Sequence, residues 1–113
     1  MENILTANPD IKGIFTANDE MALGALRATT SRNMSVPIVG VDGITEAVKS
    51  INADGIYATV AQRPYDMTYK GVENALKILD GKELEKRIDS GLDVITKDNS
   101  EEKLSELSEL LEK

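Results

Sequence analysis

The stretch Ile14-Phe15-Thr16-Ala17-Asn18-Asp19-Glu20-Met21-Ala22-Leu23-Gly24-Ala25-Leu26 decides the fold of this chain. It reads as a short apolar strand, a polar turn and a helix rich in Ala and Leu. Asn18 stands at the corner where the strand becomes the helix. In an open α/β sheet such a corner faces the crevice outside the carboxyl ends of the strands, where these folds bind small ligands. We therefore interpret Asn18 as a candidate ligand contact.

Two later segments repeat the same order of elements. An apolar strand over 36–41 leads through Asp42-Gly43 into a helix over 44–53. A strand over 56–61 leads through Gln62 into a helix over 65–80. Strands that alternate with helices in this way predict right-handed crossovers and a parallel sheet. The predicted fold is a three-layer αβα arrangement with a mostly parallel open sheet.

The remaining elements follow from hydrophobic periodicity. The predicted elements are helices over 1–8, 19–31 and from Ser100 onward, and strands over 11–17 and 92–96. The leucines of the last helix, Leu104, Leu107, Leu110 and Leu111, are predicted to pack within the chain, because two heptads are too few for a coiled coil. The aromatic residues Phe15, Tyr57, Tyr65 and Tyr69 lie in strands or on an apolar helix stripe, and we expect them in the core.

Composition excludes several classes of function. The 113 residues suit one domain, and the net charge of −7 argues against binding of nucleic acid or anionic lipid. The chain contains neither Cys nor His, which removes the commonest metal ligands and the commonest general base. We interpret Asp19 and Glu20 as ordinary acids of a first helical turn. The sequence therefore predicts no enzyme, no metal and no cofactor.

In each of the three strand–helix segments the strand is followed by a polar residue, namely Asn18, Asp42 and Gln62. In a parallel sheet these side chains emerge along one edge. Planar amides and carboxylates match the adjacent hydroxyls of a polyol, which both donate and accept hydrogen bonds. Each residue also has a simpler interpretation: Asn18 as a helix cap, Asp42 as a turn residue and Gln62 as a loop residue.

Three segments carry a family resemblance. The segments NDEMALGAL at 18–26, VGVDG at 39–43 and TVAQ at 59–62 closely resemble the C-terminal lobe of bacterial D-ribose-binding proteins, which are type I sugar receptors of ATP-driven importers. The resemblance covers residues 1–97. It implies that Asn18, Asp42 and Gln62 hydrogen-bond to sugar hydroxyls, and that two lobes close around the ligand by a hinge motion.

The resemblance also implies how the chain is divided. We expect a single domain over 1–113, with the core of the ligand lobe at 1–62, a crossover helix and hinge strand at 65–99, and a C-terminal helix at 100–113. Family members are well over twice this length, so we expect a C-terminal fragment that begins at an internal methionine. The fragment lacks the family's signal peptide, most of the other lobe, the aromatic residues that sandwich the sugar and an arginine that clamps it.

The expected function is the parent's: a solute-binding component of an importer for D-ribose or a similar monosaccharide, partnered by a membrane permease. We expect the parent to be periplasmic or otherwise extracytoplasmic, and the chain as given, without a signal peptide, to stay in the cytoplasm. The fragment alone should bind sugar weakly or not at all. Two alternatives stay open, the effector-binding core of a sugar-responsive repressor and a structural or engineered half-domain without a ligand.

The strand over 11–17 should leave one edge uncovered, because the family's neighbouring strand is absent from this sequence. An uncovered edge pairs readily with another chain. We therefore expect a homodimer or a domain-swapped assembly. Alternatively, residues 65–113 fold back and complete the sheet within one chain.

Overall fold

The computed structural model describes residues 1–111, and helices and strands alternate along this part of the chain. The elements are α1 (Glu2–Ala7), β1 (Ile14–Phe15), α2 (Asp19–Thr30), β2 (Ile38–Asp42), α3 (Thr45–Asn52), β3 (Ala58–Gln62), α4 (Pro64–Leu79), β4 (Leu92–Ile95) and α5 (Ser100–Leu111). The four strands form one sheet in the order β1-β2-β3-β4. Both β1–β2 and β2–β3 pair in parallel, which confirms the predicted α/β class and mostly parallel open sheet.

Strand β1 is shorter than the predicted strand over 11–17. The backbone N–H groups of Ile14 and of Thr16, which directly follows β1, donate to the carbonyl oxygens of Pro37 and Val39, each at 2.9 Å. Pro37 has no N–H to donate in return, so the ladder between β1 and β2 cannot extend toward the start of either strand. At the other end, the chain turns at Asn18 into α2. Two residues of regular strand remain between these limits.

The chain divides into two compact units. The first unit is Met1–Ala61 together with the described part of Val94–Lys113, and the second unit is Gln62–Asp93. The core of the first unit joins one face of α2 and α3 to side chains of the sheet and of the segment before β3. Its buried members are Ala22, Ala25, Ile38, Ala47, Val48, Ile51, Ile56, Ala61 and Ile95.

Helix α5 packs against α3 within the first unit. Leu104 and Leu107 are partly buried against the core, as predicted, whereas Leu110 is exposed. The Ser100 hydroxyl, which is fully buried, donates to Asn52 Oδ1 at 3.1 Å at the start of α5. The side chain of Leu111 and residues 112–113 of the expected C-terminal helix lie outside the described residues.

The second unit is built around α4, and none of the sixteen residues of this helix is buried. Tyr65 and Tyr69 are 69% and 63% exposed, and their rings stack with centroids 6.3 Å apart. The prediction that these tyrosines lie in the core is wrong. Helical periodicity identifies an apolar face, but within residues 62–93 no element covers that face.

The core prediction also fails for Phe15 and Tyr57, which are 71% and 66% exposed. Successive side chains of a strand point to opposite faces of the sheet. Ile14 and Thr16 on either side of Phe15 are half-buried and buried, so Phe15 lies on the opposite, uncovered face of β1. Tyr57 precedes β3 in the same alternation, between the buried Ile56 and Ala58.

Candidate functional site

Asn18 is the N-cap of α2. Its backbone is extended, and its Oδ1 accepts a hydrogen bond from the N–H of Met21 at 2.9 Å. The Thr16 hydroxyl donates to the Asn18 carbonyl oxygen at 2.8 Å and fixes the corner from the strand side. The capping interpretation of Asn18 is therefore confirmed. The cap engages only the amide oxygen, and within residues 1–111 no group accepts from the two N–H donors of Nδ2.

Asp42 is the last residue of β2, and its backbone has an unusual conformation. Its φ of 121° lies in a region that side chains other than glycine rarely adopt. Such a conformation costs about 1–3 kcal/mol and persists only where the surrounding structure holds it. Outliers of this kind cluster at ligand-binding positions. Asp42 is half-buried.

Gln62 is the last residue of β3 and is also half-buried. Ala61, directly before it, is the register partner of Asp42 in the parallel pairing of β2 with β3. The next residue, Arg63, is the N-cap of α4 and forms a bidentate pair with Asp93, with N···O distances of 3.0 and 2.5 Å. Asp42 and Gln62 therefore end their strands, and Asn18 stands at the turn between β1 and α2.

Asp19 has a role that the sequence did not indicate. The residue is completely buried, whereas its neighbour Glu20 is exposed. Asp19 Oδ2 accepts from the backbone N–H groups of Gly43 at 2.7 Å and Ile44 at 2.9 Å. Asp19 Oδ1 accepts from the Thr59 hydroxyl at 2.6 Å. The carboxylate therefore joins the start of α2 to the β2–α3 corner and to β3.

Two glycines make room for this network. A side chain at Gly40 would collide with Asp19 Oδ1 and come within 3.1 Å of Ala22 Cβ. Gly43 has a φ of 77°, and a side chain there would collide with Ala61. The pair of glycines around Val41-Asp42 is the signal in the sequence for a close approach. The sequence alone does not show that α2 is the element that approaches these glycines.

A separate apolar groove runs along the outer edge of β1. Its volume is about 780 Å³, and its walls come from α1, β1 and α2 of the first unit. Apolar side chains supply most of these walls, among them Ile4, Ile11, Phe15 and Met21. Among residues 1–111, no strand pairs with this edge of the sheet.

No helix in the described part of the chain is long and apolar enough to cross a membrane. Within the same residues, no three acidic, His or Cys side chains converge in a way that could hold a metal ion.

Comparison with known proteins places these features in a family. The model of the periplasmic binding protein domain family matches residues 1–83. The chain is 43% identical to the ribose import binding protein RbsB of Escherichia coli K12 over 98 aligned residues. The alignment covers 86% of this chain and 33% of that protein. Over 73 residues it is 44% identical to the D-allose-binding periplasmic protein of the same organism, covering 63% of this chain and 24% of the relative.

Solved structures agree with these matches. An ABC transporter periplasmic solute-binding protein from Actinobacillus succinogenes with bound D-allose superposes with a TM-score of 0.80 at 35% identity, over 89% of this chain and 37% of that one. The myo-inositol-binding protein of Caulobacter gives a TM-score of 0.78 at 34% identity, over 93% and 38%. The chain spans about a third of the length of the curated ribose-binding relatives it matches. It belongs to the periplasmic binding protein domain family.

Proposed function

We propose that the full-length protein containing this chain is the solute-binding component of an ATP-driven importer for D-ribose or a similar monosaccharide. The observation that carries the proposal is the placement of Asn18, Asp42 and Gln62, each at the carboxyl end of its own strand. The 43% identity to a ribose import binding protein supports ribose as the first sugar to test. On this proposal the protein is periplasmic, works with a membrane permease and catalyses no reaction.

The chemistry of the three side chains suits a sugar. Two amides and a carboxylate offer both donors and acceptors in planar arrays, and a sugar hydroxyl needs one of each. Asn18 can serve as a helix cap and as a sugar contact at once, because capping engages one lone pair of Oδ1 and leaves the Nδ2 donors. A site of this type rejects an analogue that lacks a hydroxyl, since a polar group is then left unpaired.

We also propose a division of labour along the chain. Residues 1–62 form the core of the ligand lobe, residues 65–99 the crossover helix and hinge strand, and residues 100–113 the C-terminal helix. Sugar binding then needs the rest of the fold, because closure of two lobes removes water from the polyol and aligns its partners. The 113-residue chain alone should bind ribose with a Kd of about 1 mM or weaker.

The test is a titration of the isotope-labelled chain with D-ribose, followed by two-dimensional amide NMR. We expect saturable shifts at the side-chain amides of Asn18 and Gln62 and at the backbone of Asp42, and smaller shifts with 2-deoxyribose. Asn18→Asp keeps an oxygen for the cap but removes both Nδ2 donors, so it should weaken ribose binding without lowering stability. Asn18→Ala removes the cap as well and should cost about 1 kcal/mol of stability.

Two results would contradict this proposal. Ribose that shifts none of the three residues, even far above about 1 mM, excludes them as sugar contacts of this lobe. Calorimetry that gives a micromolar or tighter Kd for this chain refutes the requirement for a second lobe.

We further propose that the edge of β1 pairs with β1 of a second copy. Because Ile14 and Thr16 direct their N–H groups toward β2, the N–H and C=O of Phe15 face the outer edge. A two-fold axis beside Phe15 would let two such edges exchange both hydrogen bonds and bury two exposed phenyl rings against each other.

Sedimentation should show a concentration-dependent dimer that Phe15→Lys abolishes, with Tyr57→Lys as the matched control. A stable monomer at high micromolar concentration overturns the proposal, and a dimer that Phe15→Lys leaves intact indicates a swapped assembly instead.

A further inference from the structure

We infer that Asp19 is a positioning residue for the candidate sugar-binding edge: its buried carboxylate holds the strained corner that carries Asp42. The inference rests on the proposed function for its sugar readout only. Its structural content is the link between two helix starts and one strand, all within the first unit.

The carboxylate binds the two N–H groups that lead into α3, at Gly43 and at the N-cap Ile44. The N-cap residue of α3 is Ile44, whose side chain has no hydrogen-bonding atom, and the first N–H groups of a helix need an external acceptor. Asp19 Oδ2 accepts from Gly43 and Ile44 at the start of α3. Since Asp19 is itself the first residue of α2, one carboxylate lies at the positive ends of two helix dipoles.

Thr59 completes the network from β3. Its hydroxyl donates to Asp19 Oδ1 at 2.6 Å and accepts from the Gly43 N–H at 3.3 Å, and the residue is fully buried. Within residues 1–111, none of the ion pairs includes Asp19. A buried carboxylate without a cation depends on its hydrogen bonds and on the helix ends that face it. Loss of any one donor should therefore weaken the hold of the carboxylate on the remaining groups.

This network acts on the residue that the sugar is proposed to contact. Asp42 is bonded directly to Gly43, whose N–H is held by Asp19 and Thr59 together. The φ of 121° at Asp42 persists only where the surrounding structure holds it, and the hydrogen bonds at the following peptide are part of that support. Asn18, the other sugar contact of the first unit, directly precedes Asp19. The carboxylate thus fixes the relative position of both contacts without touching the sugar.

The test compares five variants with the wild-type chain, four at or beside the network and Val48→Ala as a control for lost stability. Asp19→Asn is nearly isosteric but removes the charge that faces the two helix starts, and its N–H₂ finds an acceptor only if the Thr59 hydroxyl gives up its role as donor. Thr59→Val removes the hydroxyl and keeps the shape, and Thr59→Ser restores the hydroxyl. Glu20→Gln removes a neighbouring charge that is exposed and serves as the matched control.

The first readout is the three-bond coupling between the amide and α protons of Asp42, which needs no sugar. A φ near 121° gives a small coupling, and an ordinary extended backbone gives a large one. We expect a small coupling in the wild type, in Thr59→Ser and in Glu20→Gln. In Asp19→Asn and Thr59→Val we expect the coupling to rise and the Gly43 and Ile44 amides to exchange with solvent about tenfold faster or more, as for buried donors left unpaired.

The second readout is ribose affinity per folded molecule. Asp19→Asn and Thr59→Val should weaken it about fivefold or more, the effect of misplacing one polar contact. Val48→Ala, a cavity in the buried face of α3, controls for lost stability. It should lower the melting temperature while leaving both the Asp42 coupling and the ribose affinity unchanged.

The outcomes separate the two proposals. An Asp42 coupling that stays small in Asp19→Asn and Thr59→Val, or that rises equally in Val48→Ala, overturns the positioning role. If Asp19→Asn does not fold, Thr59→Val decides by the same readout. Ribose that shifts no wild-type resonance even far above about 1 mM refutes the sugar contacts proposed for this lobe, and the coupling still decides whether Asp19 holds this corner.

Discussion

Helices α3 and α4 have similar patterns in the sequence and opposite fates in the structure. Both carry apolar residues at helical spacing. The eight-residue α3 buries Ala47, Val48 and Ile51 completely or nearly so. The sixteen-residue α4 buries none of its residues. An amphipathic pattern therefore creates the means to form a core, but only a facing element converts it into burial.

The first unit supplies such facing elements within the chain. Helix α3 contacts both α2 and α5. The strands before and after it, β2 and β3, pair in parallel. In the second unit, the contacts that join α4 or its N-cap to the segment after it include an ion pair between Arg63 and Asp93 and a hydrogen bond from Lys70 Nζ to the Asp89 carbonyl oxygen. Exposed polar contacts of this kind contribute at most about 1 kcal/mol each. The stability of the chain should therefore come almost entirely from the first unit.

Two isoleucines test this difference most strongly. Ile51 in α3 is 2% exposed and Ile78 in α4 is 60% exposed, so the same change to alanine can be made in both settings. Ile51→Ala should lower the free energy of unfolding by about 2–5 kcal/mol, because it removes buried surface and leaves a cavity. Ile78→Ala should change it by less than about 0.5 kcal/mol. Urea denaturation followed by circular dichroism measures both.

An equal loss of stability in the two variants would break the comparison. It would mean that in solution the apolar face of α4 is covered, either by a second copy or by the rest of its own chain. Repeating the denaturation at several protein concentrations distinguishes these, since only a dimer gives a concentration-dependent midpoint.

Two helical glycines sharpen the comparison on a smaller scale. A side chain at Gly24 in α2 or at Gly71 in α4 would meet nothing within 4 Å. Alanine in the interior of a helix is favoured over glycine by about 0.5–1 kcal/mol. Gly24→Ala should raise the melting temperature of the first unit. Gly71→Ala should slow amide exchange in α4 and leave that melting temperature unchanged.

The control for this pair is the exchange of α3 amides, which neither change touches directly. If Gly71→Ala raises the melting temperature as much as Gly24→Ala does, the two units unfold in one transition. The expectation that the first unit supplies almost all of the stability is then wrong.

The sequence predicted the elements well because their signals are local. Periodicity and Asn-Asp or Gly punctuation placed most helix and strand boundaries within two residues. The larger error, the strand over 11–17, came from its neighbour: Pro37, directly before β2, has no N–H to donate to the segment before β1, and pairing partners are not visible in a single segment. The aromatic residues failed for the same reason, since burial of Phe15 or Tyr65 depends on an element that must face it.

The candidate site divides in the same way. Asn18 was predicted both as a cap and as a ligand contact, and the cap is confirmed because capping is a contact three residues away. Asp19 was misjudged because its partners lie 24, 25 and 40 residues along the chain. An acid in a first helical turn is normally solvated. Only the crossing of α2 over β2 shows that this one is enclosed.

The backbone at Asp42 has a consequence for how the specificity of this edge can be changed. At a φ of 121° the chain accepts glycine most easily and branched or bulky side chains least. Asn18 has an extended backbone, and Gln62 is not among the residues with positive φ, so neither position carries this restriction. The backbone therefore leaves a wide choice of side chains at positions 18 and 62 and a narrow one at position 42. If these residues contact a sugar as proposed, selection for a different sugar should leave position 42 almost fixed.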